Sequence, residues 1–177
     1  MRLAGGIADS NDLGQILSSQ IDPHDTDVHV IGIDGGYLLK SFDAPFDLYI
    51  KAGLNRFLEN GYQDDFFEMT LYVKLYYNLD FYSQRVRFGV AEGGSYAFDI
   101  PIVEQIEAEE NDDHNSNFLN YLEFSVDFDI GRLLHVKGLK NTYLGYTLKH
   151  RSGIYGLINN VERGGSNYNL LHIETNF

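Results

Sequence analysis

Apolar and polar side chains alternate residue by residue along most of this chain, and a period of two admits strands and excludes helices. At 46–54, Phe46, Leu48, Ile50, Ala52 and Leu54 share one face, while Asp47, Tyr49, Lys51 and Asn55 share the other. At 67–77, Phe67, Met69, Leu71, Val73, Leu75 and Tyr77 alternate with Glu68, Thr70, Tyr72, Lys74 and Tyr76. At 122–130, Leu122, Phe124, Val126, Phe128 and Ile130 alternate with Glu123, Ser125, Asp127 and Asp129. Weaker alternation runs through Ile31, Ile33, Tyr37 and Leu39, through Val86, Phe88 and Val90, and through Leu144, Tyr146 and Leu148. A last set is Leu171, Ile173 and Phe177.

With a short strand near the N-terminus, the pattern predicts eight strands. Their spans are 2–8, 28–40, 46–58, 62–78, 85–98, 117–130, 139–152 and 165–177. An even count suits a single up-and-down barrel over 1–177. Connections at 9–27, 97–116 and 153–164 are long, and those at 41–45 and 79–84 are short. Long loops at one end and short turns at the other are the asymmetry of an outer-membrane barrel. Two connections run against it: 59–61 is short, and 131–138 is longer than such a turn requires.

The polar faces carry Lys51, Lys74, Arg85 and Arg87 against Glu68, Glu123, Asp127, Asp129 and Glu174. Both signs in similar numbers predict an internal ion-pair network, because an eight-stranded barrel has room for side chains but no pore. The apolar faces then meet lipid. The opposite arrangement is a soluble lipocalin-like barrel with the apolar face inside. No run of about 18 apolar residues exists, which excludes a transmembrane helix but not membrane strands. The N-terminus lacks the apolar core of a signal peptide, so an exported chain is expected to have lost its leader before residue 1.

Composition narrows the function. The 177 residues carry a formal net charge of −13, which argues against nucleic acid as the partner. Cysteine is absent, so disulfides, a cysteine nucleophile and thiolate metal sites are excluded. The acidic run Glu104, Glu107, Glu109, Glu110, Asp112 and Asp113 with His114 reads as a solvated loop. Its alternative, Ca²⁺ or Mg²⁺ binding, lacks the spacing of a calcium loop. Asp22, His24, Asp25 and Asp27 read the same way, as a polar loop. His29, His135 and His172 assemble no ligand pattern, so no metal site is expected. Gly35-Gly36 and Gly93-Gly94 lie in strands and predict bends or close packing.

One constellation could do chemistry. His150 and Ser152 lie two residues apart, which on a strand puts both on one face about 6.6 Å apart at Cα. Their parity is that of Leu144, Tyr146 and Leu148, so they belong to the apolar face beside a long loop. That is where an esterase acting on a lipid would carry its base and nucleophile. If Ser152 pairs near Gly165, Asn167 lies opposite His150 and could hold its tautomer. Glu162, in the loop, competes for that role as the stronger partner of an imidazolium. Candidate oxyanion donors are the Gly153 N–H, Asn159 and Asn160. Arg151 has the opposite parity and suits either an internal ion pair or a lipid phosphate.

His150-Arg151-Ser152, the Gly-rich loop before the last strand and the terminal Phe177 together resemble the lipid A deacylase family of outer-membrane barrels (PagL-like proteins). The motif covers the C-terminal segment, and the strand pattern covers the rest. The family has Asn after the Ser, where this chain has Gly153. Glu162 stands two residues nearer the His than the family's Glu. The stretch from His150 to Asn167 is similar to a subgroup labelled acyloxyacyl hydrolase-like. The resemblance implies a transmembrane eight-stranded barrel in a Gram-negative outer membrane. It also implies hydrolysis of an acyl ester of lipid A or another membrane lipid. No cofactor is expected, since a serine hydrolase supplies its own nucleophile. The competing readings are a non-enzymatic structural or adhesive barrel and a soluble lipid-binding barrel.

Overall fold

Alternation over eight segments closes into one sheet. The computed structural model describes residues 1–43 and 45–176, so the terminal Phe177 lies outside the described residues. The strands are β1 (Arg2–Asp9), β2 (His29–Ser41), β3 (Phe46–Leu58), β4 (Phe66–Phe81), β5 (Gln84–Ala97), β6 (Phe118–Asp129), β7 (Thr142–Ser152) and β8 (Gly165–Thr175). Each pairs antiparallel with the next, and β1 pairs with β8 from Arg2↔Glu174 to Asp9↔Asn167, closing the barrel.

The apolar faces point outward. Tyr37, Ile50, Leu54, Leu71, Val73, Phe88, Val90, Phe128, Leu144 and Ile173 are all exposed on the wall. On β4 the outward apolar row runs from Phe67 through Tyr77 to Phe81. Ten residues of strand span about 33 Å, which at a tilt of about 40° is about 25 Å of height, the thickness expected of a lipid-facing band. This distribution is that of a membrane-spanning barrel and is the reverse of a lipocalin-like one.

The lumen is charged and full. Six buried cationic side chains, Arg2, Lys51, Lys74, Arg87, Lys149 and Arg151, meet six buried carboxylates, Asp34, Glu68, Glu104, Glu123, Asp127 and Glu174. Arg2 grips Glu123 through both terminal nitrogens at 2.8 Å and Asp34 through Nε at 2.5 Å. Lys51 bridges Asp34 (2.9 Å) and Glu174 (2.6 Å), and Arg87 bridges Asp127 (2.8 Å) and Glu174 (3.1 Å). Lys74 pairs with Glu123, and Lys149 with Glu68. A buried charge survives only when paired in this way. Arg85 and Asp129 are not part of the network, contrary to the sequence reading. Both sit where strands approach the short-turn end, so Arg85 reaches its cross-strand partner Asp80 at the end of β4 at 2.5 Å. Asp129 caps the short helix α1 (Ile130–Leu133) by accepting from the Arg132 N–H.

Three further expectations change. β4 begins at Phe66 rather than residue 62, because Asn60 and Gly61 adopt positive φ and turn the chain over 59–65. That lengthens the connection at the long-loop end. The long connection after β6 holds α1 and a 3₁₀ turn at Lys137–Leu139. The acidic run is not a solvated loop. Ile102–Asn111 forms a helix, α2, capping the mouth of the barrel. Val103 enters an apolar layer with Val30, Phe57, Phe66, Ala97, Tyr168 and Leu170. Glu104 reaches below it to Arg151 Nε (3.0 Å) and the Ser166 hydroxyl (2.5 Å). Arg151 therefore points into the lumen as an ion-pair partner, away from any lipid phosphate.

One glycine of each pair is a close-packing position, while Gly35 faces open space. A Cβ at Gly36 would press on the Lys51 side chain at 2.5 Å, and one at Gly93 would overlap the Leu71 carbonyl.

Candidate active site

The β7–β8 hairpin positions the site. Ser152 pairs with Gly165 and His150 with Asn167, the register expected from the sequence. Along β7 the residues facing the lumen are Tyr143, Gly145, Thr147, Lys149 and Arg151, all buried. His150 and Ser152 face the other way, onto the outer wall, and both are partly exposed.

His150 Nδ1 lies 2.8 Å from Asn167 Oδ1. The Asn167 amide is itself oriented, because its nitrogen donates to the Asn11 carbonyl at 2.9 Å. Its oxygen is thus turned to the imidazole and can only accept. The proton belongs on Nδ1, and Nε2 keeps a lone pair. Asn11 is held in turn by Asp9, whose carboxylate accepts from the Asn11 N–H (2.8 Å) and the Asp22 N–H (3.1 Å). The same carboxylate accepts from the Asn169 amide at 2.5 Å, and Asn169 accepts from the Tyr146 hydroxyl. This polar chain runs across the outward faces of β7, β8 and β1, on a wall that is otherwise apolar. The β1–β2 connection, with its short helix at Leu13–Leu17, folds over it.

His150, Ser152 and Asn167 line a cleft of about 1450 Å³ at the long-loop end. Its walls come from Asn11–Gly14, His24–Thr26, α2 and the β7–β8 loop, with Glu92, Asn120 and Leu122 on the barrel wall. Asp113, just past α2, ties the β7–β8 loop in place. Its Oδ2 accepts from the N–H groups of Glu162, Arg163 and Gly164 at 2.9, 2.7 and 2.9 Å. These bonds, the one from Arg163 foremost, hold its carboxyl down to about 2.

The other candidates are dispersed. Glu162 lines the cleft but its carboxylate makes no hydrogen bond among the described residues, and His150 is bonded to Asn167 instead. Gly153 follows the nucleophile candidate directly and is buried against Val161. Asn159 anchors the loop, its amide donating to the Ser116 hydroxyl and the Phe118 carbonyl at 2.8 Å each. Asn160 is exposed, in the left-handed region at φ 58°, and does not line the cleft. Ser152 and His150 do not hydrogen-bond to each other here, a separation common in catalytic pairs before substrate arrives. Among the described residues no three His, Asp or Glu side chains converge as a metal site.

Sequence reasoning missed four participants. Asp9 and Asn11 were placed in a polar connection, and only barrel closure brings them beside β8. Asn120 continues the outward alternation of Leu122, Phe124 and Val126, so its parity was readable; its place opposite Ser152 was not. Glu92 shares the outward face of β5 with Val90. A second hydroxyl–imidazole–carboxylate set also went unseen: Thr147 Oγ1, His172 and Asp127, at 2.9 and 3.1 Å.

No protein-family model matches this chain, and no curated protein sequence matches it. Among solved structures, the chain is similar to the crystal structure of the outer membrane enzyme PagL. The TM-score is 0.59 with 12% identical residues, over 99% of this chain and 98% of that one. The two share the eight-stranded barrel fold from end to end.

Proposed function

We propose that this chain is an outer-membrane esterase of Gram-negative bacteria that removes an acyl chain from a membrane lipid, lipid A being the favoured substrate. One observation carries the reading. An imidazole with a free Nε2, held by an oriented amide, sits two residues from a serine on the outward wall, at the polar long-loop end of a barrel whose outward band is otherwise mostly apolar. A polar His–Ser–Asn set on a lipid-facing wall has a desolvation cost and no structural return. The shared fold with PagL, described as an outer membrane enzyme, supports the same reading.

In the proposed reaction the Ser152 Oγ attacks the acyl carbonyl carbon while His150 Nε2 takes its proton. The carbonyl π pair moves to oxygen, with the Gly153 N–H proposed as its backbone donor. Collapse expels the sugar or fatty alkoxide, which takes the proton from His150. Water then attacks the acyl-serine by the same route and frees the fatty acid. Asn167 keeps the imidazole in the productive tautomer throughout and does not itself exchange a proton. The apolar wall below the pair would hold the acyl chain, so substrate need not leave the bilayer.

Mass spectrometry of lipid A from Gram-negative cells expressing the exported protein, beside Ser152→Ala, tests this. Loss of one acyl chain in the wild type alone is the expected result. Identical spectra from two barrels shown to be folded in the membrane would overturn lipid A as substrate. They would favour the structural or adhesive reading, to which the acidic residues of the long-loop end lend support.

A further inference from the structure

Asn120 is a residue of the wall that lacks a structural explanation. It lies on β6 directly opposite Ser152, with its side chain on the same outward face. It is 7% exposed, lines the cleft, and makes no side-chain hydrogen bond among the described residues. Its amide atoms are not sealed into the wall but open on the cleft, with no protein partner among the described residues. Its register sets it beside one group. Directly opposed residues bring their Cβ atoms within about 4.5–5.5 Å, so an amide there reaches the space beside the Ser152 hydroxyl. On the far side of Ser152 stands Gly165, with no side chain to cover the hydroxyl. On the far side of Asn120 stands Gly94, over which the Phe118 ring lies at about 3.0 Å from where a Cβ would be.

We infer that Asn120 is a catalytic oxyanion donor: its amide N–H meets the carbonyl oxygen as negative charge develops on it during attack by Ser152. The inference rests on the esterase reading above and adds to it the side-chain donor that the sequence alone assigned to the loop. Asn159 cannot fill that role while it holds Ser116 and Phe118, and Asn160 is outside the cleft. A donor on β6 and a nucleophile on β7 are fixed by a hydrogen-bonded ladder, not by a loop. Such preorganisation is what makes an oxyanion donor effective.

The test uses the purified full-length barrel in detergent micelles, with p-nitrophenyl decanoate as the ester. Asn120→Ala is expected to lower kcat about 10²- to 10³-fold with KM nearly unchanged, the signature of a donor used only in the transition state. Asn120→Asp keeps the shape, removes the N–H and adds a repelling charge, and is expected to fall at least as far. Retention of the heat-modifiable electrophoretic shift by both variants separates chemistry from folding. Should Asn120→Ala and Asn120→Asp hydrolyse at the wild-type rate while Ser152→Ala is dead, the Asn120 assignment fails and the esterase reading stands. Should Ser152→Ala itself hydrolyse as well as wild type, both fall together.

Discussion

Two histidines on neighbouring strands sit in similar company and face opposite ways. His172 on β8 faces the lumen, with the Thr147 hydroxyl at 2.9 Å on one nitrogen and Asp127 at 3.1 Å on the other. On paper that is the more complete triad. Yet Thr147, His172 and Asp127 are each no more than 2% exposed, and Asp127 is already spent on Arg87. No substrate carbonyl can reach that hydroxyl. His150 on β7 has only a neutral amide to orient it, but its free nitrogen and the Ser152 hydroxyl open on a cleft beside the lipid-facing wall. Hydroxyl, imidazole and acceptor within bonding distance therefore do not define a site. Access decides, and in a barrel access is decided by parity.

The comparison breaks cleanly if the two histidines are removed in turn. His150→Ala is expected to reduce ester hydrolysis on the order of 10⁵-fold, since members of a nucleophile–base pair act as a unit. It should leave the urea midpoint of the barrel in lipid vesicles where it was. His172→Ala is expected to do the reverse. The folded barrel should hydrolyse at the wild-type rate, with stability lowered by about 1–3 kcal/mol from the groups left unpaired. Equal loss of activity in both variants would show that the lumen is coupled to the wall.

The orienting partner sharpens the contrast further. Asn167→Ala is expected to cost on the order of 10³-fold in kcat, because an unheld imidazole samples the wrong tautomer. Asn167→Asp should retain activity, and Glu162→Gln should change it by less than about threefold, within the scatter of a surface substitution. A collapse of activity in Glu162→Gln would transfer the orienting role to the loop carboxylate.

The smallest effect is expected at the loop tether. Because the Asp113 carboxyl is held down to about 2, it stabilises the loop fully above the ordinary carboxylate range. That contribution is lost as pH falls through about 2. At neutral pH, Asp113→Asn should raise tryptic cleavage after the exposed Arg163 several-fold while the strands stay intact. Unchanged cleavage would mean that other contacts hold the loop over the cleft.

Charge partition follows the same logic of parity. The six cations and six carboxylates of the ion-pair network cancel, so the formal net charge of −13 is carried by residues outside that network. Most of the uncompensated acids lie in the long connections that surround the cleft.

Much of this was legible in the residues. Phe67 to Tyr77 announces its own two faces, and Lys51, Lys74, Glu123 and Glu174 fall on the polar parity, so a charged lumen and an apolar wall follow. His150 and Ser152 share parity with Leu144 and Leu148, which placed them on the wall. The hairpin register put Asn167 opposite His150. What was misread had a local signal of the wrong kind. In α2, Ile102, Val103 and Ile106 repeat at helical spacing behind Pro101, but the run of acids beside them reads as a solvated loop. Glu104 is buried only because Arg151 waits for it inside.

What the chain alone determined is the face each side chain takes, because pleating alternates side chains with a period that belongs to the strand itself. What only the closed barrel decided is who stands beside whom. Asn120 meets Ser152, Asn11 orients Asn167, and Asp9 lies against Asn169 because eight ladders and a closing β1–β8 pair set those registers together. No local period encodes a neighbour that arrives from another strand.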